Sequence, residues 1–198
     1  MNRVVNRGGL ASENEELIYE ELIYSGKRFE SSQSKLWYAV YTVVRHEKAV
    51  NCSLLNNNIE TFLPLREVVS QWKDRRKKVR LPLFPGYMFV RICDKDSRSI
   101  LSILNTKGVV RILSSNRIFQ PVPAQQIDSI KRLVEKNVEY DPYPYLVKGI
   151  EVAIVNGPLQ GVTGKILERK GQNRLIVSID IIKRSVSVKV DPANVELV

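Results

Sequence analysis

The sequence predicts an α+β domain, one antiparallel sheet flanked by helices with a protruding basic β-hairpin, followed by a small all-β barrel. Three observations carry that prediction. Residues 35–140 alternate aromatic or β-branched runs with helix-forming stretches in the order β-α-β-hairpin-β-α-β-α. Residues 149–198 hold four short Val/Ile-rich runs parted by glycine- or charge-rich turns, which is the spacing of a barrel. Between them, Asp141-Pro142-Tyr143-Pro144-Tyr145 cannot be helical through its prolines and marks a linker over 141–148.

Taken in order, residues 1–34 are polar with scattered apolar pairs and read as a flexible N-terminal extension. Ser12 and Glu15 have capping-box spacing, which places a short helix over about 13–24. Leu36 to Val43 is dense in aromatic and β-branched residues and reads as a buried strand. Arg45 to Asn57 has helix-forming composition and ends in an Asn run that favours a C-cap. Ile59 to Leu63 is a second strand, stopped by Pro64. Glu67–Trp72 and Val79–Leu81 are extended and joined by a polar connection, so they pair as a hairpin.

Phe84-Pro85-Gly86 is a turn into the strand Tyr87–Ile92, on which Tyr87 and Phe89 share a face. Asp96 or Ser97 caps a helix carrying Ile100, Leu101 and Leu104, closed by Gly108. After the strand Val109–Leu113, Pro123 stands at a helix start, and Ile127, Ile130 and Val134 form an apolar face. In the last fifty residues Val152–Val155, Thr163–Leu167, Leu175–Ile179 and Ser185–Val190 are the barrel strands.

Charge says where a partner sits. The 198 residues carry a formal net charge of +10 and a pI near 9.7. The first 34 residues contribute −2, residues 35–148 contribute +10 and residues 149–198 contribute +2. Six bases and one acid crowd into Lys73–Arg80, at the hairpin tip. A lone charge run serves solubility as often as binding. On a projecting hairpin it is a polyanion contact, and neutralising about five phosphates there gives a log–log salt slope of about −4 to −5.

Other functions are disfavoured by what is missing. No run of about 18 apolar residues exists to span a membrane, and no apolar leader opens the chain. Two cysteines, Cys52 and Cys93, are too few for a disulfide scaffold or a thiolate zinc site, so a reduced, cytoplasmic setting is expected. Asn51-Cys52-Ser53 matches a glycosylation sequon by chance. His46 is the one histidine. Gly161-Val162-Thr163-Gly164-Lys165-Ile166 superficially imitates a phosphate loop, but its glycine spacing is wrong and Ile166 stands where the Mg²⁺-binding hydroxyl belongs. Neither an enzyme nor a cofactor or metal is expected.

Three blocks in order carry a family resemblance. Trp37-Tyr38-Ala39-Val40-Tyr41 with Arg45-His46-Glu47-Lys48 resembles the opening of the NusG N-terminal (NGN) domain. Leu83-Phe84-Pro85-Gly86-Tyr87-Met88-Phe89-Val90 resembles that domain's central block, and Val152 to Gly164 resembles the KOW motif of an SH3-like barrel. The likeness covers about 36–198. The basic hairpin and the Arg-His-Glu-Lys helix start are most similar to specialised paralogs of the UpxY and RfaH type.

The resemblance implies a transcription elongation and antitermination factor, monomeric and acting at specific operons. Its NGN domain would bind the clamp helices of bacterial RNA polymerase. Tyr87, Phe89, Ile127 and Ile130 would line the apolar groove, with Phe84 shaping the turn beneath it. An aromatic stripe of this kind equally serves a core. Arg98 and Ser99 fall at a helix start that touches polymerase in specialised paralogs, although Ser99-Ile100-Leu101 replaces their His-Thr-Thr signature.

Non-template DNA or nascent RNA would meet Arg45, His46 and Lys48, and the hairpin's Trp72, Lys73, Arg75, Arg76, Lys77 and Lys78. Lys107 and Arg111 are further cationic candidates. The KOW barrel would recruit a ribosomal protein or termination factor through Leu159, Ile181 and Ile182. The alternatives are a general NusG-type factor serving most genes and a KOW-bearing RNA-binding protein of ribosome assembly.

Overall fold

The computed structural model describes residues 34–71, 76–94, 96–136, 140–144, 149–169 and 172–198. The expected helix over 13–24 and the hairpin tip at 72–75 lie outside the described residues.

The first domain is built on β1 (Lys35–Thr42), the central strand of a five-stranded antiparallel sheet. On one side β1 pairs with β5 (Tyr87–Cys93), which in turn pairs with β2 (Glu60–Phe62). On its other side it pairs with β6 (Val109–Ile112) and the short β9 (Pro121–Val122). Helix α1 (Glu47–Asn56) follows β1, and α2 (Ser97–Leu104) precedes β6. Asp96 caps α2 by accepting from the Ser99 N–H. A separate hairpin, β3 (Leu65–Gln71) with β4 (Arg76–Pro82), pairs in unbroken register from Leu65↔Pro82 to Gln71↔Arg76. A smaller one joins β7 (Ser114–Ser115) to β8 (Ile118–Phe119), with Asn116 and Arg117 at positive φ in its turn.

Strand alternation gives this sheet two apolar faces. Tyr38, Val40, Met88 and Val90 are buried on the face that belongs with Val50 and Leu54 of α1 and with Ile100 and Ile103 of α2. Trp37, Ala39 and Phe89 point to the other face and share a core with Ile127, Ile130 and Leu133 of α3 (Ala124–Glu135). The ring of Phe89 packs near Phe62 and edge-on to Phe84.

The C-terminal domain is a six-stranded antiparallel sheet in the order β10-β14-β13-β12-β11-β15. Its strands are β10 (Tyr140–Tyr143), β11 (Ile150–Ile154), β12 (Thr163–Arg169), β13 (Gln172–Ile179), β14 (Arg184–Lys189) and β15 (Val195–Leu197). The expected strands are present, and two were not expected, β10 and β15. Residues 140–143, read as the entrance to a linker, pair with β14 as an edge strand. Pro142 is tolerated there because an edge strand needs ladder donors on one side only. Val152, Ile154, Leu175, Val177, Ile179, Val186 and Val188 supply the interior, and they belong to the same apolar cluster as α3 and Phe89. The two domains therefore share one continuous core.

Candidate nucleic-acid interface and a covered apolar face

At the root of the basic hairpin lies a groove of about 430 Å³ lined by Val44, Arg45, Glu47, Lys48, Arg66, Arg80, Leu81, Pro82 and Pro85. The β1–α1 turn builds one wall and the hairpin base the other. Arg45 sits at φ +72, a left-handed conformation that costs a non-glycine residue about 1–2 kcal/mol. It opens the helix that carries Glu47 inward and Lys48 outward. Glu47 is buried, and its Oε1 accepts the Gly86 N–H at 2.7 Å, tying the helix start to the Phe84-Pro85-Gly86 turn. The Lys48 ammonium donates to the Arg80 carbonyl at 2.6 Å and bridges the two walls. The hairpin's exposed ion pairs, Glu67 with Lys78 at 3.7 Å and with Arg80 at 3.4 Å, contribute at most about 1 kcal/mol each.

Four cations thus surround an apolar floor that holds one carboxylate. Arg45 and Lys48, expected from the sequence to meet nucleic acid, line this groove. His46 is exposed beside it, its Nδ1 3.4 Å from the Val44 carbonyl, and does not pack in the core. Lys78 is exposed on β4. Trp72, Lys73 and Arg75 lie outside the described residues, and of Arg76 and Lys77 only the backbone pairing is described. Arg111 sits across β1, its guanidinium 5.7 Å from the centroid of the Tyr41 ring, and Lys107 is exposed before β6. The structure adds Arg66 and Arg80 to the groove. Arg80 belonged to the basic run, whereas Arg66 carried no sequence signal.

Of the residues expected on an apolar polymerase groove, Phe84, Phe89, Ile127 and Ile130 are at most 2% exposed. Tyr87 is half-buried against Tyr41, ring centroids 5.2 Å apart. An open groove is therefore not what this arrangement presents. The strand domain lies on α3. Leu159 and Ile182, expected to meet a barrel partner, are buried in the shared core, and Ile181 packs against it.

A polar stripe on α3 at i, i+3 and i+6 completes the contact. The Gln126 amide donates to Asp180 Oδ2 at 2.6 Å, Ser129 Oγ accepts the Thr163 N–H at 3.2 Å, and Arg132 donates to the Gln160 carbonyl at 2.9 Å. A second contact runs from Tyr140, whose hydroxyl donates to the Leu65 carbonyl at 3.2 Å. Burial pushes the Tyr140 phenol up, and the nearby Arg66 guanidinium pulls it partly back. Arg98 is exposed at the start of α2, while the Ser99 hydroxyl is spent on Asp96.

The model of the family described as transcription termination factor NusG matches residues 35–131, which run from β1 into α3. Relatives extend the likeness through the strand domain. The transcription termination/antitermination protein NusG of Helicobacter pylori (strain ATCC 700392 / 26695) is 26% identical over 173 residues, 81% of this chain and 97% of the relative. From β1 into α3 this chain is similar to the NusG family. The NusG of Thermus thermophilus is 25% identical over 179 residues, covering 80% of this chain and 96% of that one. A solved structure of Thermotoga maritima NusG, described as a domain interaction, matches at a TM-score of 0.49 and 23% identity, over 83% of this chain and 97% of that one. The matched residues form the NGN-like sheet-and-helix domain, and the strand-rich domain after it is consistent with a KOW domain.

Proposed function

We propose that this protein is a transcription elongation and antitermination factor that binds RNA polymerase through its NGN domain and holds nucleic acid in the groove at the hairpin root. The family match and relatives named for transcription termination and antitermination support the transcription role. The observation that carries the nucleic-acid contact is the ring of Arg45, Lys48, Arg66 and Arg80 around an apolar floor. The basic hairpin beside it favours a factor acting at specific operons.

Polymerase, through its clamp helices, would take the face formed by Tyr87, Phe89, Ile127 and Ile130. The strand domain covers that face, and α3 covers the strand domain's own Leu159 and Ile182. Each domain is the other's lid, so polymerase binding and a ribosomal or termination partner both compete with the closed form. A ligand that binds only the separated domains shifts the population towards them.

Retention of RNA polymerase by wild type and by Tyr87→Ala tests the reading. Tyr87 is the residue of choice because Phe89→Ala would cost about 3–5 kcal/mol in the core. Reduced retention by a folded Tyr87→Ala protein is expected; equal retention refutes the face. Occupancy of one or a few operons marks a specialist, and occupancy of most transcripts marks a general factor. Recovery of ribosomal RNA without polymerase would select the ribosome-assembly alternative.

A further inference from the structure

Strand β10 touches both domains and has no obvious need to exist. It pairs with the edge of β14 from Tyr140↔Val188 to Tyr143↔Ser185. Asp141 Oδ2 lies 3.6 Å from Arg174 Nη1, which also donates to Ser187 Oγ at 2.9 Å. The Tyr140 hydroxyl reaches the other way, to the Leu65 carbonyl at the hairpin base, and its ring packs against the shared core. We propose that β10 is a releasable strap: paired with β14 it holds the strand domain against α3, and its unpairing lets the two domains separate.

The chain length between the domains supplies the leverage. With β10 paired, only residues 136–139 join α3 to the strand domain, a reach of about 14 Å, less than the roughly 18 Å length of α3 itself. With β10 released, residues 136–149 join α3 to β11, a reach of about 48 Å. The effective concentration of the strand domain at α3 falls as about the −3/2 power of tether length. Release therefore raises the open-to-closed ratio about sixfold by the tether alone, before the Tyr140 contact is counted. By reciprocity, whatever separates the domains also weakens the strap. The strap is built to let go: Pro142 lacks an N–H, and Asp141 and Pro142 are exposed. The strap regulates the face assigned to polymerase above, but its test needs no polymerase.

The Thr163 and Asp180 amides report opening directly, because α3 side chains accept from both in the closed form. Asp141 and Ser187 are register partners, so Asp141→Cys with Ser187→Cys, in a chain carrying Cys52→Ser and Cys93→Ser, tethers strap to sheet on oxidation. Hydrogen exchange at Thr163 and Asp180 should slow about sixfold or more in the oxidised protein relative to the same protein reduced. Tyr140→Phe, which frees the Leu65 carbonyl without disturbing strand pairing, should accelerate it severalfold. Equal exchange in the oxidised and reduced forms, or in Tyr140→Phe and wild type, would overturn the strap. Slowed exchange together with undiminished polymerase retention would keep the strap and refute the polymerase face.

Discussion

Gln126 and Asp180, 54 residues apart, exchange two hydrogen bonds: the side-chain amide donates to the carboxylate at 2.6 Å and the Asp180 backbone N–H donates back to Gln126 Oε1 at 3.1 Å. The neutral amide supplies both a donor for the carboxylate and an acceptor for the N–H. In the α3 contacts the charged groups Asp180 and Arg132 meet neutral partners over an apolar core, so salt weakens the bonds little. Gln126→Ala removes both bonds and should raise the open fraction about fivefold, for a net loss of about 1 kcal/mol. Gln126→Glu should open the protein further, since two carboxylates then face each other. Exchange at the Thr163 amide measures both, and rates equal to wild type in the Glu variant would refute the pairing.

The groove makes a salt-dependent prediction. Arg66→Gln and Arg80→Gln should each flatten the log–log salt slope for single-stranded nucleic acid by about 0.7, the release of one phosphate's counterion. Stability should scarcely change, because the Arg80–Glu67 pair is exposed. Anisotropy titrations of a labelled oligonucleotide between low and moderate salt read the slope, and slopes unaltered in both variants would remove phosphate contact from the hairpin root.

Most strands were legible because their signals are local. Leu36–Val43 and Tyr87–Ile92 are β-rich runs, and the paired halves of the hairpin flank a polar connection. The strap was misread for an equally local reason: Pro142 and Pro144 exclude helix but leave an edge strand open. The sequence left the burial of Phe89, Ile127 and Ile130 open between a core and a groove. An apolar stripe looks the same whether a partner, a second domain or the chain's own core covers it. Glu47 was missed because only the folded chain brings it to the Gly86 N–H. Arg66 was missed because it lies 14 residues from Arg80 in sequence and joins it on the same groove wall only after the hairpin closes.

Gly164 is a packing requirement. A Cβ there would lie 2.4 Å from the Ile176 carbonyl oxygen, and the neighbouring strand's backbone cannot retreat without breaking the β12–β13 ladder. Gly164→Ala should therefore destabilise the protein by about 2–4 kcal/mol in urea unfolding. Gly157→Ala is the control: a Cβ there meets open space, and only the positive φ of +86° is strained, costing about 1–2 kcal/mol. A Gly164 variant no less stable than the Gly157 variant would contradict the close approach.

Tyr38 predicts how the NGN sheet fails in alkali. Burial first, and then the hydrogen bond and charge of Asp94, push its phenol up from 10 to about 12. The hydroxyl donates to Asp94 Oδ1 at 3.0 Å, and the ring lies inside the sheet-and-helix core. Between those two values the unfolded chain gives up the proton while the folded one keeps it. The contribution of the protonated phenol is present in full below pH 10 and lost as the pH rises towards 12, about 2–3 kcal/mol in all. Asp94→Asn removes the carboxylate's share but not the burial. The Tyr38 value should then fall yet stay above 10, and the alkaline loss should be complete at lower pH. Carbon-13 shifts of labelled tyrosine Cζ resolve Tyr38 from the other seven tyrosines. A Tyr38 resonance that titrates with the exposed rings would mean that neither burial nor Asp94 governs it.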